Sequence, residues 1–227
     1  WLVYKSLGSG PKYKATIFNF VKATKLIFMT PQLTFTPDQE QALSQFLVFI
    51  RARELRKLWI LTGYAGTGKS TLIAHLVGQM RQEKLPFKLL APTGRAAKVL
   101  ANYAGFPAST IHRHIYFSGG EWSSQGLTLA KNLHKNMLFF VDEASMLAAA
   151  APQEATNVLE DLLNYVYNGE NCHLIFIGDP GQLPPVGQDH SIALLPQILA
   201  EAYPSLTIWH SHLTQVVRVE QHSGILA

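Results

Sequence analysis

Cysteine is nearly missing from this 227-residue chain. Cys172 stands alone, so no internal disulfide can form, and a reducing compartment, the cytoplasm, is expected. Cys172 opens an apolar run and reads as a buried core thiol. No run of roughly 18 or more apolar residues occurs, which excludes a helical membrane span. The basic stretch from Ala15 to Met29 has no clean hydrophobic segment with a small-residue cleavage site, so it does not read as a signal peptide. Acid is missing before Met29, where Lys5, Lys12, Lys14, Lys22 and Lys25 stand. Setting those five aside leaves 14 basic and 15 acidic residues, so the net charge of +4 says little about the folded part. Any affinity for nucleic acid must come from a local surface.

What is present is apolar residue in quantity. At 48% hydrophobic and 15% charged, the chain can bury one good core, and disorder is excluded. Residues 1–28 show neither a helical nor a strand period, and read as an N-terminal extension ahead of a natural start at Met29 or as an ordinary arm. Residues 29–227 read as one folded domain.

From Thr36 the pattern is regular. Thr36 can cap a helix, Pro37 suits its first turn, and Asp38 and Glu40 favour its positive end. Apolar strands are predicted at Leu58–Thr62, Phe87–Ala91, Met137–Val141, His173–Ile177 and Leu206–Trp209. Helices are predicted over 69–82, 96–103, 154–167 and 192–202. Apolar strands alternating with helices predict an α/β fold, a parallel sheet with helices on both faces. The polar, Gly-rich stretch Ser118 to Lys135 interrupts the alternation and reads as a small insertion, about 117–135, whose Trp122 suits either base stacking or packing.

Two motifs carry chemistry. Gly63-Tyr-Ala-Gly-Thr-Gly68-Lys69-Ser70 follows a predicted strand and opens a helix. Its glycines, Gly63, Gly66 and Gly68, let consecutive N–H groups turn toward an anion, and the helix N-terminus adds positive potential. Lys69 is placed for the β- and γ-phosphates of ATP and Ser70 for Mg²⁺; Thr67 and Thr71 complete the cradle. Leu138-Phe-Phe-Val-Asp142-Glu143 is a strand ending in two acids, where a parallel sheet presents groups to ligands. Asp142 is expected to hold Mg²⁺, and Glu143 to orient or deprotonate the attacking water. The acid strand is expected beside the phosphate-loop strand, and the strand leading to Gln182 next beyond it.

With these motifs, four further stretches in order resemble superfamily 1 helicases of the RecD-like type, as in the exodeoxyribonuclease V alpha-subunit. Thr36-Pro-Asp-Gln39-Glu-Gln-Ala42 resembles the glutamine motif, which implies that Gln39 reads adenine. Ala91-Pro-Thr-Gly-Arg-Ala-Ala-Lys98 resembles a DNA-touching motif, implicating Thr93, Gly94 and Arg95; capping a helix is the other reading. Ser109-Thr-Ile-His112-Arg resembles an element near bound DNA, with packing the alternative for His112. Gly178-Asp-Pro-Gly-Gln182-Leu-Pro-Pro-Val186 resembles the stretch linking ATP state to DNA grip through Gln182, with Pro184 and Pro185 stiffening the loop, or else a rigid surface turn.

Leu213-Thr-Gln-Val-Val-Arg218 resembles the run toward a second motor domain, where Arg218 would meet the γ-phosphate. The family usually follows that arginine with glutamine; here Val219 and Glu220 come first.

The resemblance implies a RecA-like P-loop NTPase fold, ATP and Mg²⁺ as cofactors, single-stranded DNA as partner, helicase–nuclease subunits as candidate partners, and 5′ to 3′ unwinding in repair or recombination. The second motor domain is expected to be absent. An arginine finger contributes ~10³–10⁵ in rate in related reactions, so weak hydrolysis and no unwinding by this chain alone are expected. The rival reading is a nucleotide-switched DNA- or protein-binding module without motor activity. A small-molecule P-loop kinase leaves Asp142-Glu-Ala-Ser and Gln182 unexplained.

Overall fold

The computed structural model describes residues 34–117, 128–147, 157–182 and 191–217. The extension before Met29, Trp122, the Pro184–Pro185 pair and Arg218 lie outside the described residues.

Six strands form one parallel sheet: β1 (Lys57–Gly63), β2 (Phe87–Ala91), β3 (Ala108–Thr110), β6 (Leu138–Val141), β7 (His173–Gly178) and β8 (Thr207–Leu213), in the order β3-β2-β6-β7-β1-β8. Successive side chains of a strand face opposite sides, and here both sides are apolar. Trp59 and Leu61 of β1 join Phe140, Ile175 and Ile177 in one core. Leu58 and Ile60 join Phe139, Val141, Leu174 and Phe176 in the other.

Helices α1 (Pro37–Arg51), α2 (Lys69–Gln82) and α3 (Gly94–Ala104) cover the first face. The short α4 (Ile111–Ile115), α5 (Val158–Tyr167) and α6 (Pro196–Ala202) cover the second. The result is the three-layered, RecA-like arrangement that continuous apolar strands predict. On either side of residues 118–127, β4 (Tyr116–Phe117) and β5 (Thr128–Leu129) pair antiparallel as a small separate sheet.

Three expectations change. The strand leading to Gln182 is not the outer of three: β7 lies between β1 and β6 and pairs with both. Gln182 therefore follows the strand between the phosphate loop and the acids. The helix expected over 192–202 is split into a 3-10 turn, Ile192–Leu194, and α6. Pro196 causes the break, because a residue before proline is pushed out of the helical region, and Leu195 is extended at φ −106°, ψ 97°. The last strand runs to Leu213 rather than ending at Trp209, drawn on by its pairing with all of β1.

Helix α1 starts as its sequence suggests. The Thr36 hydroxyl accepts from the Gln39 N–H at 3.3 Å, and Gln39 Oε1 accepts from the Thr36 N–H at 3.1 Å, a reciprocal capping box. At its other end the buried Lys57 ammonium donates to the carbonyls of Phe49, Ile50 and Ala52 at 2.9, 3.3 and 2.8 Å. These carbonyls would otherwise lack partners inside the helix. Burial pulls the Lys57 pKa down to about 8, against the pull of Glu54.

Candidate nucleotide site

The site forms at the carboxyl edge of the sheet, where β1, β7 and β6 end side by side. After β1 the chain turns through Tyr64–Gly68 into α2. The Tyr64 carbonyl organises this turn, accepting from the Thr67 N–H at 3.3 Å, the Thr67 hydroxyl at 2.8 Å and Lys69 Nζ at 3.0 Å. Lys69 Nζ also donates to the Gly63 carbonyl. Gly66 and Gly68 have φ of 82° and 81°, left-handed values that favour glycine.

Three acids act on the charge of the lysine. Burial lowers its pKa, while Asp179, Glu143 and Asp142, in decreasing order, pull it back up. Asp179 is the acid that the sequence reading did not single out. It is buried, and its Oδ1 accepts from the Gly181 N–H at 2.8 Å.

Asp142 stands at the end of β6. Burial pushes its carboxyl above the usual carboxylate range, while a hydrogen bond from the Tyr103 hydroxyl, 2.7 Å from Oδ2, pulls it down. Burial and the Asp142 charge raise the Tyr103 phenol, and a hydrogen bond with Ser70 works the other way. Glu143 is left-handed, φ 53° and ψ 39°, an uncommon conformation for a non-glycine residue. Such residues gather where the surrounding structure holds a functional geometry.

Two links tie the Gln182 loop to its neighbours. The buried Ser145 hydroxyl donates to Gln182 Oε1 at 2.7 Å. The Tyr64 ring packs so closely on Gly181 that an added Cβ there would lie 3.1 Å from two ring carbons. Tyr64 also meets the His212 ring edge-on at 6.1 Å.

Gln39 is buried beneath the loop. With Oε1 engaged in the helix cap, its Nε2 donates to the Thr67 carbonyl at 3.1 Å. These two bonds leave a second Nε2 hydrogen and a second Oε1 lone pair on that amide. Beyond β8, the Val217 N–H donates to the Gly66 carbonyl at 2.9 Å, so residues 214–217 run along the phosphate loop.

Thr93, Gly94 and Arg95 are exposed at the same edge, where β2 gives way to α3. The Thr93 hydroxyl accepts from the Ala96 N–H at 3.2 Å, which is the capping alternative. His112 is exposed on α4, next to the end of β3, and its ring lies 5.5 Å from that of Tyr116. Ser70 and Thr71 are exposed in the first turn of α2.

The structure thus gathers Gln39, Gly63, Gly66, Thr67, Gly68, Lys69, Ser70, Asp142, Glu143 and Gln182 around one loop, and sets Thr93, Gly94, Arg95 and His112 along the neighbouring strand ends. The sequence reading passed over Tyr64, Tyr103 and Asp179. The Asp-Pro-Gly run was the only signal available for Asp179; nothing local marked the tyrosines.

A phosphate loop after an inner strand of a parallel sheet, with acids one strand removed, defines a RecA-like P-loop NTPase. The family model for the AAA domain matches residues 34–226, and the chain belongs to that family, as a superfamily 1, RecD-like helicase motor domain. It is 35% identical over 170 residues to the ATP-dependent RecD2 DNA helicase of Deinococcus radiodurans, covering 75% of this chain and 21% of that protein. It is 29% identical over 167 residues to the ATP-dependent DNA helicase Pif1 of Bdellovibrio bacteriovorus, covering 68% of this chain and 34% of that protein. The chain therefore spans a minor part of these relatives. Pif1 from Bacteroides sp, solved with ADP-AlF4, shares the fold at a TM-score of 0.51 and 21% identity, over 82% of this chain and 43% of that one.

Proposed function

We propose that this chain binds ATP with Mg²⁺ and works as the ATP-hydrolysing motor domain of a DNA helicase that tracks along single-stranded DNA. The observation that carries this reading is the placing at one sheet edge of Lys69, held on the Gly63 and Tyr64 carbonyls after β1, of Gln182 after β7 and of Asp142 and Glu143 after β6. One cation among three acids suits a site that receives a polyanion and a divalent ion together.

The donor set fits magnesium. Asp142 at the end of β6 accepts from the Tyr103 hydroxyl, and Ser70 stands in the first turn of α2 at the same sheet edge, so two hard oxygen donors are available at the mouth of the loop. Bound there, Mg²⁺ would neutralise charge on the β- and γ-phosphates.

The chain's own groups supply the rest. Lys69 leaves the Gly63 and Tyr64 carbonyls for the phosphates. The backbone N–H groups of Gly66–Ser70 receive phosphate oxygens. Glu143 orients the attacking water and takes its proton. Gln182 senses the γ-phosphate and relays its presence through the Gln182 loop. Arg218 follows directly on Val217 and is the candidate for completing the charge compensation.

The N–H groups of Gly94 and Arg95, the Arg95 side chain and His112 are assigned to the DNA backbone. Movement from 5′ to 3′, a role in repair or recombination, helicase–nuclease partners and a cytoplasmic location extend the same reading. Among the described residues no helix is long and apolar enough to cross a membrane.

The test is nucleotide binding and hydrolysis, with and without single-stranded DNA. Lys69→Ala is expected to abolish nucleotide affinity, and Glu143→Gln to keep affinity while losing turnover. Nucleotide binding that survives Lys69→Ala unchanged rejects the site. Turnover indifferent to DNA but stimulated by a small phosphate acceptor would favour a kinase instead.

A further inference from the structure

We infer that Tyr103 is a positioning residue of the magnesium site: by holding Asp142 Oδ2, its hydroxyl fixes how that carboxylate faces the cation. This inference rests on the nucleotide reading above and deepens it.

Tyr103 comes from an unexpected place. It lies in the last turn of α3, away from every motif in the sequence. Helical side chains lean toward the helix N-terminus, so a long side chain from that turn reaches back to the carboxyl edge of the sheet. Its ring packs among the α1–α3 core, which limits its swing. The hydroxyl then donates to Asp142 Oδ2 at 2.7 Å. A carboxylate has two oxygens and a freely turning torsion. With Oδ2 engaged, the plane of the group is set and Oδ1 is the oxygen left to face a cation. Tyr103 therefore sets the orientation of the carboxylate donor.

Helix α3 adds a consequence. Its first residues, Gly94 and Arg95, are those assigned to DNA, and its last turn carries Tyr103. A displacement of this rigid helix by DNA would move the phenol against Asp142.

The experiment compares the wild-type chain with Tyr103→Phe, which keeps the ring and removes the hydroxyl, and with Tyr103→Ala. A fluorescent ATP analogue is titrated in excess Mg²⁺ and again in EDTA, and Mn²⁺ is titrated directly. Thermal melting checks folding. For Tyr103→Phe the expected result is unchanged affinity in EDTA, a cooperative melt lowered only by the loss of that one bond, and about tenfold weaker Mn²⁺ and Mg²⁺-dependent nucleotide affinity, the loss of one hydrogen bond to a charged group. Equal affinity for Tyr103→Phe and wild type in Mg²⁺ overturns the inference while leaving the nucleotide reading intact, as does an equal loss with and without Mg²⁺. Failure of the wild-type chain to bind nucleotide overturns both. Tyr103→Ala is expected to lower the melting temperature as well, separating the ring's packing role from that of the hydroxyl.

Discussion

Asp38 Oδ2 accepts from both the backbone N–H of Thr214, at 2.8 Å, and its hydroxyl, at 2.5 Å, and also from the Gln215 N–H at 3.2 Å. The first turn of α1 thereby anchors the segment that leaves β8 and runs along the phosphate loop to Val217. Asp38→Ala is expected to speed hydrogen exchange at the amides of Thr214, Gln215 and Val217 while sparing β1 and β7. Unchanged protection at Val217 would mean that the strap holds itself.

The same anchor sets a pH dependence. The Thr214 side-chain hydrogen bond, then the backbone bond, lower the Asp38 pKa below its ordinary 3.8. A carboxyl with a depressed folded pKa stabilises the fold above its unfolded value, and that contribution is lost as pH falls through the folded value. The stability difference between wild type and Asp38→Asn is expected to be constant above about pH 5 and to shrink below about pH 4. Equilibrium denaturation across about pH 3–6 (one unit either side of that range) reads it, and a gap that widens in acid would contradict the sign.

Gln39 and Gly68 are in contact. A Cβ at Gly68 would lie 2.3 Å from Gln39 Nε2, on a backbone already at φ 81°. Gly68→Ala is expected to cost about 1–3 kcal/mol from the left-handed conformation alone, with nucleotide affinity falling further. Gln39→Ala removes the obstructing amide, so the double variant should lose less than the sum of the single losses. Strict additivity in a nucleotide-binding cycle would show that the two residues do not meet.

Ser145→Ala leaves Gln182 Oε1 without its 2.7 Å donor. A neutral hydrogen bond of about 0.5–1.5 kcal/mol corresponds to a two- to tenfold effect. That loss is expected in DNA-stimulated turnover, with nucleotide affinity in the absence of DNA unchanged. An equal fall in both would assign Ser145 to the fold rather than to signalling.

Lys57→Met would strip three α1 carbonyls of their donor and is expected to cost about 1.5–3 kcal/mol in urea denaturation. Because burial brings the Lys57 pKa down to about 8, the folded chain binds fewer protons than the unfolded one between about pH 8 and 10. Stability from this group therefore rises with pH in that window, and the gap between wild type and Lys57→Met should widen there. A gap that narrows would mean that the carbonyls, not burial, govern the ammonium.

Most of this protein was written in local chemistry. Thr36-Pro37-Asp38 starts a helix, the Gly-rich run turns before Lys69, and Asp142 and Glu143 end an apolar strand, because capping, turning and burial depend on neighbours a few residues away. Tertiary structure alone decided which strand ends meet. Spacing along the chain carries no information about lateral order, so it could not show that β7 separates β1 from β6 and brings Gln182 between the lysine and the acids. Nor could it reveal Tyr103 or the Asp38–Thr214 anchor, since those bonds join residues 39 and 176 positions apart. Such contacts exist only once two apolar cores have fixed the helices against a single sheet.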